Sequence, residues 1–164
     1  MSEPNSTPTR KDYAAVALVS ASLLAYEILL LRVFSYSHWH HFASLAVSLA
    51  LLGFGAAGTI LVLLGERAKR WGGGLFLAGM ILSAAGMAGT FWLNQALLVR
   101  PLFVVWDWRE LAKILLLDFA AFVPFLGAAL CIGQVFVRWP AATPKLYGAN
   151  LLGSGAGSIA ASLL

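Results

Sequence analysis

Four stretches of this chain, residues 13–34, 42–64, 75–98 and 112–137, are apolar almost throughout. Each reaches the ~20 residues needed to cross a hydrocarbon core about 30 Å thick. In lipid a backbone cannot hand its N–H and C=O groups to water, so such stretches must satisfy them internally as helices. The expected fold class is therefore all-α: a polytopic transmembrane helix bundle with four complete helices. A further apolar run, 147–164, is rich in glycine and meets no polar flank, and is expected to be a truncated fifth helix. Residues 1–12 (MSEPNSTPTRKD) are polar, carry two prolines and show no apolar period, so a disordered tail is expected there.

Composition excludes the soluble alternative. Of 164 residues, 60% are hydrophobic and 11% charged, against roughly 25% charged in soluble domains. The net charge of +4 raises the question of nucleic acid, but the eleven Lys and Arg residues stand in short clusters between apolar runs. That is a membrane-topology pattern, and no nucleic-acid partner is expected. The expected partners are the lipid bilayer and other transmembrane helices, either a further part of the same protein or a second copy. The single cysteine, Cys131, has no partner for an internal disulfide. The first run follows Arg10 and Lys11, as a signal peptide would, but it is too long and lacks an Ala-x-Ala site. A retained anchor is the expectation.

Loop charges set the orientation. Arg10, Lys11, Arg67, Lys69, Arg70, Arg138 and Lys145, seven residues, fall on one side of the alternating spans. Arg100, Arg109 and Lys113 fall on the other, with Arg32 near its boundary. The positive-inside rule places the N-terminus in the cytoplasm, in an integral protein of a bacterial inner membrane. Trp71 and Trp139 then stand at the inner edge, and Trp39, Trp106 and Trp108 at the outer one.

Two glycine patterns need weighing. Residues 53–58, Gly-Phe-Gly-Ala-Ala-Gly, match the dinucleotide fingerprint G-x-G-x-x-G. That fingerprint needs a preceding strand and an acid about 20 positions on. Here it lies inside an apolar run, with no acid between Glu66 and Asp107. Gly53 and Gly58, and likewise Gly153 and Gly157, are expected to let helices approach closely. Gly79, Gly86 and Gly89 offer the same on the third run. No cofactor is expected in this chain.

Ionisable groups at membrane depth carry an insertion cost of at least ~2.5–3.5 kcal/mol and ask for a partner or a role. Glu27 lies just past the middle of the first run, and Arg32 follows five positions later. Good intrahelical pairs stand three or four apart, so the two are not expected to pair. Arg32 can snorkel to the outer boundary. Asp118, Asn94 and Gln95 fall in the outer half of their runs, as do His38, His40 and His41 in the loop between the first two. Depth alone groups these residues, and two readings stay open. In one they bond to neighbouring helices and the histidines are loop residues. In the other they line a polar cavity for a proton, a cation or a small solute. The three histidines are weak metal candidates, lacking the i, i+4 spacing that sets two ligands on one helical face. Pro124 within the fourth run predicts a kink.

The stretch Tyr26-Glu27-Ile-Leu-Leu-Leu-Arg32-Val-Phe, the histidine-bearing loop, and Ser48-Leu-Ala-Leu-Leu-Gly53-Phe-Gly55-Ala-Ala-Gly58-Thr together resemble the N-terminal membrane domain of membrane-bound spermidine synthase-like proteins. So does the run from Lys145 through Tyr147, Asn150 and Gly153 to Gly157. The resemblance implies membrane helices ahead of a cytoplasmic aminopropyltransferase-like domain of Rossmann type, which binds decarboxylated S-adenosylmethionine and a polyamine. Neither a Gly-rich nucleotide loop on a strand nor paired aspartates occur in this chain, so no catalytic residue carries over. What the resemblance implies is an anchoring or regulatory domain, or one that binds a small cationic solute. A stand-alone transporter or channel subunit and a structural subunit of a membrane complex are the alternatives.

Overall fold

A computed structural model describes residues 7–37, 41–97 and 107–163, and every regular element among them is helical. In chain order these are α1 (Arg10–Ser37), α2 (His41–Leu64), the short α3 (Glu66–Arg70), α4 (Gly72–Ala96), α5 (Trp108–Arg138) and α6 (Thr143–Leu163), with a 3-10 turn at Pro140–Ala142. Four of them, α1, α2, α4 and α5, are long and apolar enough to cross a membrane.

The element ends follow local chemistry that hydropathy alone does not register. Helix α1 starts inside the stretch expected to be a disordered tail. Asp12 reaches back to Thr9 before the helix, accepting from its N–H and its hydroxyl at 2.7 Å each. Helix α5 begins four residues before the apolar run, because Asp107 caps it by accepting from Arg109 N–H at 2.9 Å. Gly65, at φ +49°, makes the left-handed turn that ends α2 and starts α3. Pro140 and Pro144 lie where a missing N–H costs nothing, in the 3-10 turn and the first turn of α6.

Helix α5 is the centre of the bundle. Its apolar window is 56% buried, against 17–22% for the other spans. It packs against α4, α2 and α1, while α6 lies along α1. Residue pairs give the directions. Gly79 meets Gly127 and Cys131, and Gly86 meets Pro124, so α4 and α5 are antiparallel. Gly53 meets Phe125, and Leu61 meets Gly133, so α2 and α5 are parallel. Gly153 rests on Ala17, and Gly157 on Ala21, so α1 and α6 are parallel. The chain therefore alternates direction through α1, α2, α4, α5 and α6.

Small residues make these approaches possible. A Cβ on Gly53 would stand 2.6 Å from Phe125 Cβ, and one on Gly79 2.7 Å from the Gly127 carbonyl oxygen. In lipid, where apolar burial drives little association, such close backbone contact is a main source of helix adhesion. Not every glycine serves it: Gly55, Gly58 and Gly89 have nothing within 4 Å of a built Cβ. Among the described residues Gly58 meets no other helix, because α5 passes along the Gly53–Ala57 face of α2. Pro124 is buried with its ring against Gly86, and α5 continues through it as one helix.

The alternation gathers charge at one end. Arg10, Lys11, Arg67, Lys69, Arg70, Arg138 and Lys145 all lie at helix ends facing the same way. Glu66 is the exposed partner of Lys69 at 2.7 Å. That hydrogen bond, more than any other cause, holds its carboxyl below the ordinary glutamate range.

Candidate functional site

The buried stripe of α1 reads Val16, Ser20, Leu23, Leu30 and Phe34. At about 100° per residue, Glu27 falls in the middle of that stripe, four after Leu23 and three before Leu30. It is nevertheless only half-buried. Among the described residues no hydrogen-bond or ion-pair partner meets its carboxyl. An acid on the packed face of a membrane helix, open on one side and unpartnered, is a poor structural element.

The residue before it, Tyr26, stands where three helices meet. The neighbouring Tyr26 packs its ring against Phe125 of α5, with centroids 5.6 Å apart. The Tyr26 hydroxyl turns toward Thr90 of α4. It falls short of hydrogen-bond geometry and, among the described residues, is buried without a partner. Thr90 Oγ1 donates instead to Gly86 O of its own helix at 2.8 Å. Two turns along α1 from Glu27, Ser20 Oγ shares its single hydrogen between Val16 O and Asn150 Oδ1 of α6, at 2.8 and 2.5 Å. Between this pair and Glu27 the packed side of α1 is filled by the buried Leu23.

The residues expected to share the outer half do not converge on one point. Tyr26 stands level with Phe125, so at ~1.5 Å rise per residue Asp118 lies about 9 Å further along α5 than the level of Glu27. Asp118 is half-buried on the flank of the α5 stripe formed by Ile114, Leu117, Ala121 and Phe125. Arg32 turns away from Glu27 and donates to Ser162 O of α6 at 3.3 Å. Asn94 is half-buried and Gln95 exposed, both in the last turn of α4. His38 and His40 lie outside the described residues, and so does the side chain of His41, the first residue of α2. Among the described residues no group of three or more His, Cys, Asp or Glu is placed to hold a metal.

Sequence reading passed over three polar residues that the fold uses. Gln134 is buried near the end of α5 and donates from Nε2 to Ala68 O at 2.7 Å. Ser20 and Asn150 join α1 to α6. Each is a polar group inside or beside an apolar run, and the rule that singled out Glu27 applies to all three. Neither protein-family models, nor curated proteins, nor solved structures give a match to this chain.

Proposed function

We propose that this chain is a membrane-embedded domain that binds a small organic cation, with Glu27 as the anionic contact. The observation that carries the reading is Glu27 itself, central on the packed face of α1 yet half-open and unpartnered among the described residues. A carboxylate so placed gains most from a ligand that brings its own positive charge and hydrogen-bond donors. Tyr26, the preceding residue, brings an aromatic ring to the same level of α1. Asp118, about 9 Å further along, supplies a second anionic step toward the opposite end from the basic residues. In this reading the basic end, with the N-terminus, faces the cytoplasm of a bacterial inner membrane.

The likeness of the Tyr26–Phe34 and Ser48–Thr59 stretches to spermidine synthase-like membrane domains supports a polyamine as the cation. It also makes an aminopropyltransferase-like domain encoded downstream in frame the expected finding. Its absence from the gene would remove that family from the proposal and leave the cation site to be judged on binding.

The test is equilibrium binding of radiolabelled spermidine to the chain in nanodiscs. Glu27→Gln is expected to weaken binding at least about tenfold, since one charge-assisted contact is lost, with the melting temperature unchanged. Asp118→Asn is expected to have a smaller effect. Unchanged affinity in Glu27→Gln would sink the proposal. Loss of helix assembly in the same variant would make Glu27 a structural residue instead.

A further inference from the structure

At the basic end of the bundle the helix ends meet. Gln134 of α5 donates to Ala68 O of α3, and a Cβ on Gly72, which opens α4, would stand 3.7 Å from Arg138 Nη1. Tyr13 and Trp139 pack against the cluster of Val16, Val135 and Leu146, which joins α1, α5 and α6. Asp12, Gly72, Gln134 and Arg138 line one cavity of about 130 Å³. The cations carried on these elements therefore share one surface.

That surface holds more positive charge than the chain neutralises. All seven basic residues of this end are exposed. Against them, among the described residues, stand two carboxylates, Asp12 and Glu66, already engaged by Thr9 and Lys69. Lys11, Arg67, Arg70 and Lys145 have no hydrogen-bond or ion-pair partner among the described residues. Arg67 and Arg70 stand three apart on α3, a spacing at which like charges repel. The packing of α3 does not need them, since Ala68 is its buried residue. At the opposite end Lys113 pairs with Glu110 at 2.7 Å, and Arg32 donates to Ser162 O.

Each charged helix end also carries an aromatic ring. Lys11 is followed by Tyr13 in α1, Arg70 by Trp71 before α4, and Lys145 by Tyr147 in α6. In all three the ring stands one or two residues nearer the apolar span. Where α5 leaves the span, the Arg138 guanidinium stands over Trp139, 4.7 Å from the ring centroid. Trp71 and Tyr147 are exposed. Rings with a polar tip favour the boundary between headgroups and acyl chains, which sets the cations level with lipid phosphates. Below the rings, exposed Leu77 of α4 and Leu151 of α6 offer acyl chains an apolar wall. A nucleic acid or an acidic protein gains nothing from rings at this depth, whereas a phospholipid meets cation, ring and wall together.

We propose that this end of the bundle is a binding surface for anionic phospholipid of the adjoining leaflet, with α3 and the start of α6 as its cationic contacts. The headgroup must bring net negative charge, as phosphatidylglycerol does. Phosphatidylcholine carries its own cation and leaves the excess uncompensated. Orientation during insertion needs only the number of charges; a lipid surface needs them exposed, unpaired and beside interfacial rings. The proposal shares only the membrane placement with the Glu27 reading.

The experiment is native mass spectrometry of the full chain, stripped of lipid in detergent. It is titrated separately with phosphatidylglycerol, phosphatidylcholine of the same acyl chains, and a short oligothymidylate. Phosphatidylglycerol is expected to bind about tenfold or more tighter than phosphatidylcholine, by a margin that shrinks as ammonium acetate is raised. Arg67→Gln with Arg70→Gln is expected to lower phosphatidylglycerol affinity about tenfold or more. Phosphatidylcholine binding and helical circular dichroism are expected to stay unchanged. Lys145→Gln, on a separate element, is expected to act in the same direction by about fivefold, and Arg109→Gln, at the opposite end, to have no effect. Equal affinity for the two lipids, indifference to the α3 and α6 substitutions, or an equal loss in Arg109→Gln would overturn the proposal. Tighter binding of the oligothymidylate than of phosphatidylglycerol would overturn the assignment to lipid.

Discussion

Residue by residue, the clearest contrast in this molecule is between glycines of the same motif. Gly53 and Gly58 lie on one helix, five positions apart in a sequence that treats them alike. Among the described residues only Gly53 of the two meets another helix, with Phe125 Cβ 2.6 Å and the Leu126 amide nitrogen 2.9 Å from a built Cβ. Both those approaches are too short for real atoms, and Phe125 is itself fully buried and unable to yield. Gly53→Ala is therefore expected to destabilise the bundle by about 1–3 kcal/mol, the usual range for overpacking. Gly58→Ala is expected to be neutral or slightly stabilising, since alanine favours a helix where nothing clashes. Thermal unfolding of both variants in one detergent distinguishes them, and equal effects would mean that α2 does not rest on α5 at Gly53. Which glycine matters was not legible in the sequence, because the facing helix is contributed by residues some 70 positions away.

Between elements, the parallel pairing of α1 and α6 is the most specific claim of the fold. It rests on backbone contact of Gly153 with Ala17 and of Gly157 with Ala21, and on the Ser20–Asn150 hydrogen bond. In a Cys131→Ser background, which keeps a donor for Phe76 O, Ser20→Cys with Asn150→Cys is expected to form a disulfide on mild oxidation. Adding Gly157→Leu is expected to suppress it, because the leucine would have to occupy the Ala21 backbone. Efficient cross-linking in both, or in neither, would reject this pairing. The ion pair at α3 is a contrasting case. Glu66 has its carboxyl lowered by Lys69, so any stabilisation is present above the ordinary glutamate range and fades as pH falls through the lowered value. The pair is exposed, and Glu66→Gln is expected to leave the melting temperature unchanged.

Across the whole molecule, alternation of helix direction separates a basic end from an end that holds Arg32, Arg109 and Lys113. Single cysteines replacing Lys69 and Gln95, again with Cys131→Ser, are expected to react with a membrane-impermeant maleimide from opposite faces of sealed vesicles. Labelling of both from one face would break the four-span topology. With the seven basic residues inside, Lys69→Cys is expected to react only in inverted vesicles.

The sequence by itself determined the solvent and the class of structure. Runs of about 20 apolar residues leave lipid as the only tolerable surroundings and helix as the only tolerable backbone. It also singled out Glu27, because a carboxylate inside such a run is costly wherever the helix turns it. Tertiary structure decided everything that depends on which faces meet. It made α5 the centre of the bundle, joined α6 to α1, gave Gly53 and Gly79 a contact and Gly58 none, and put Glu27 and Asp118 at different depths. It also brought Asp12, Gly72, Gln134 and Arg138 around one cavity. The reason is physical: hydropathy and charge are properties of each residue against its solvent, whereas a site is a property of distances between segments far apart in the chain.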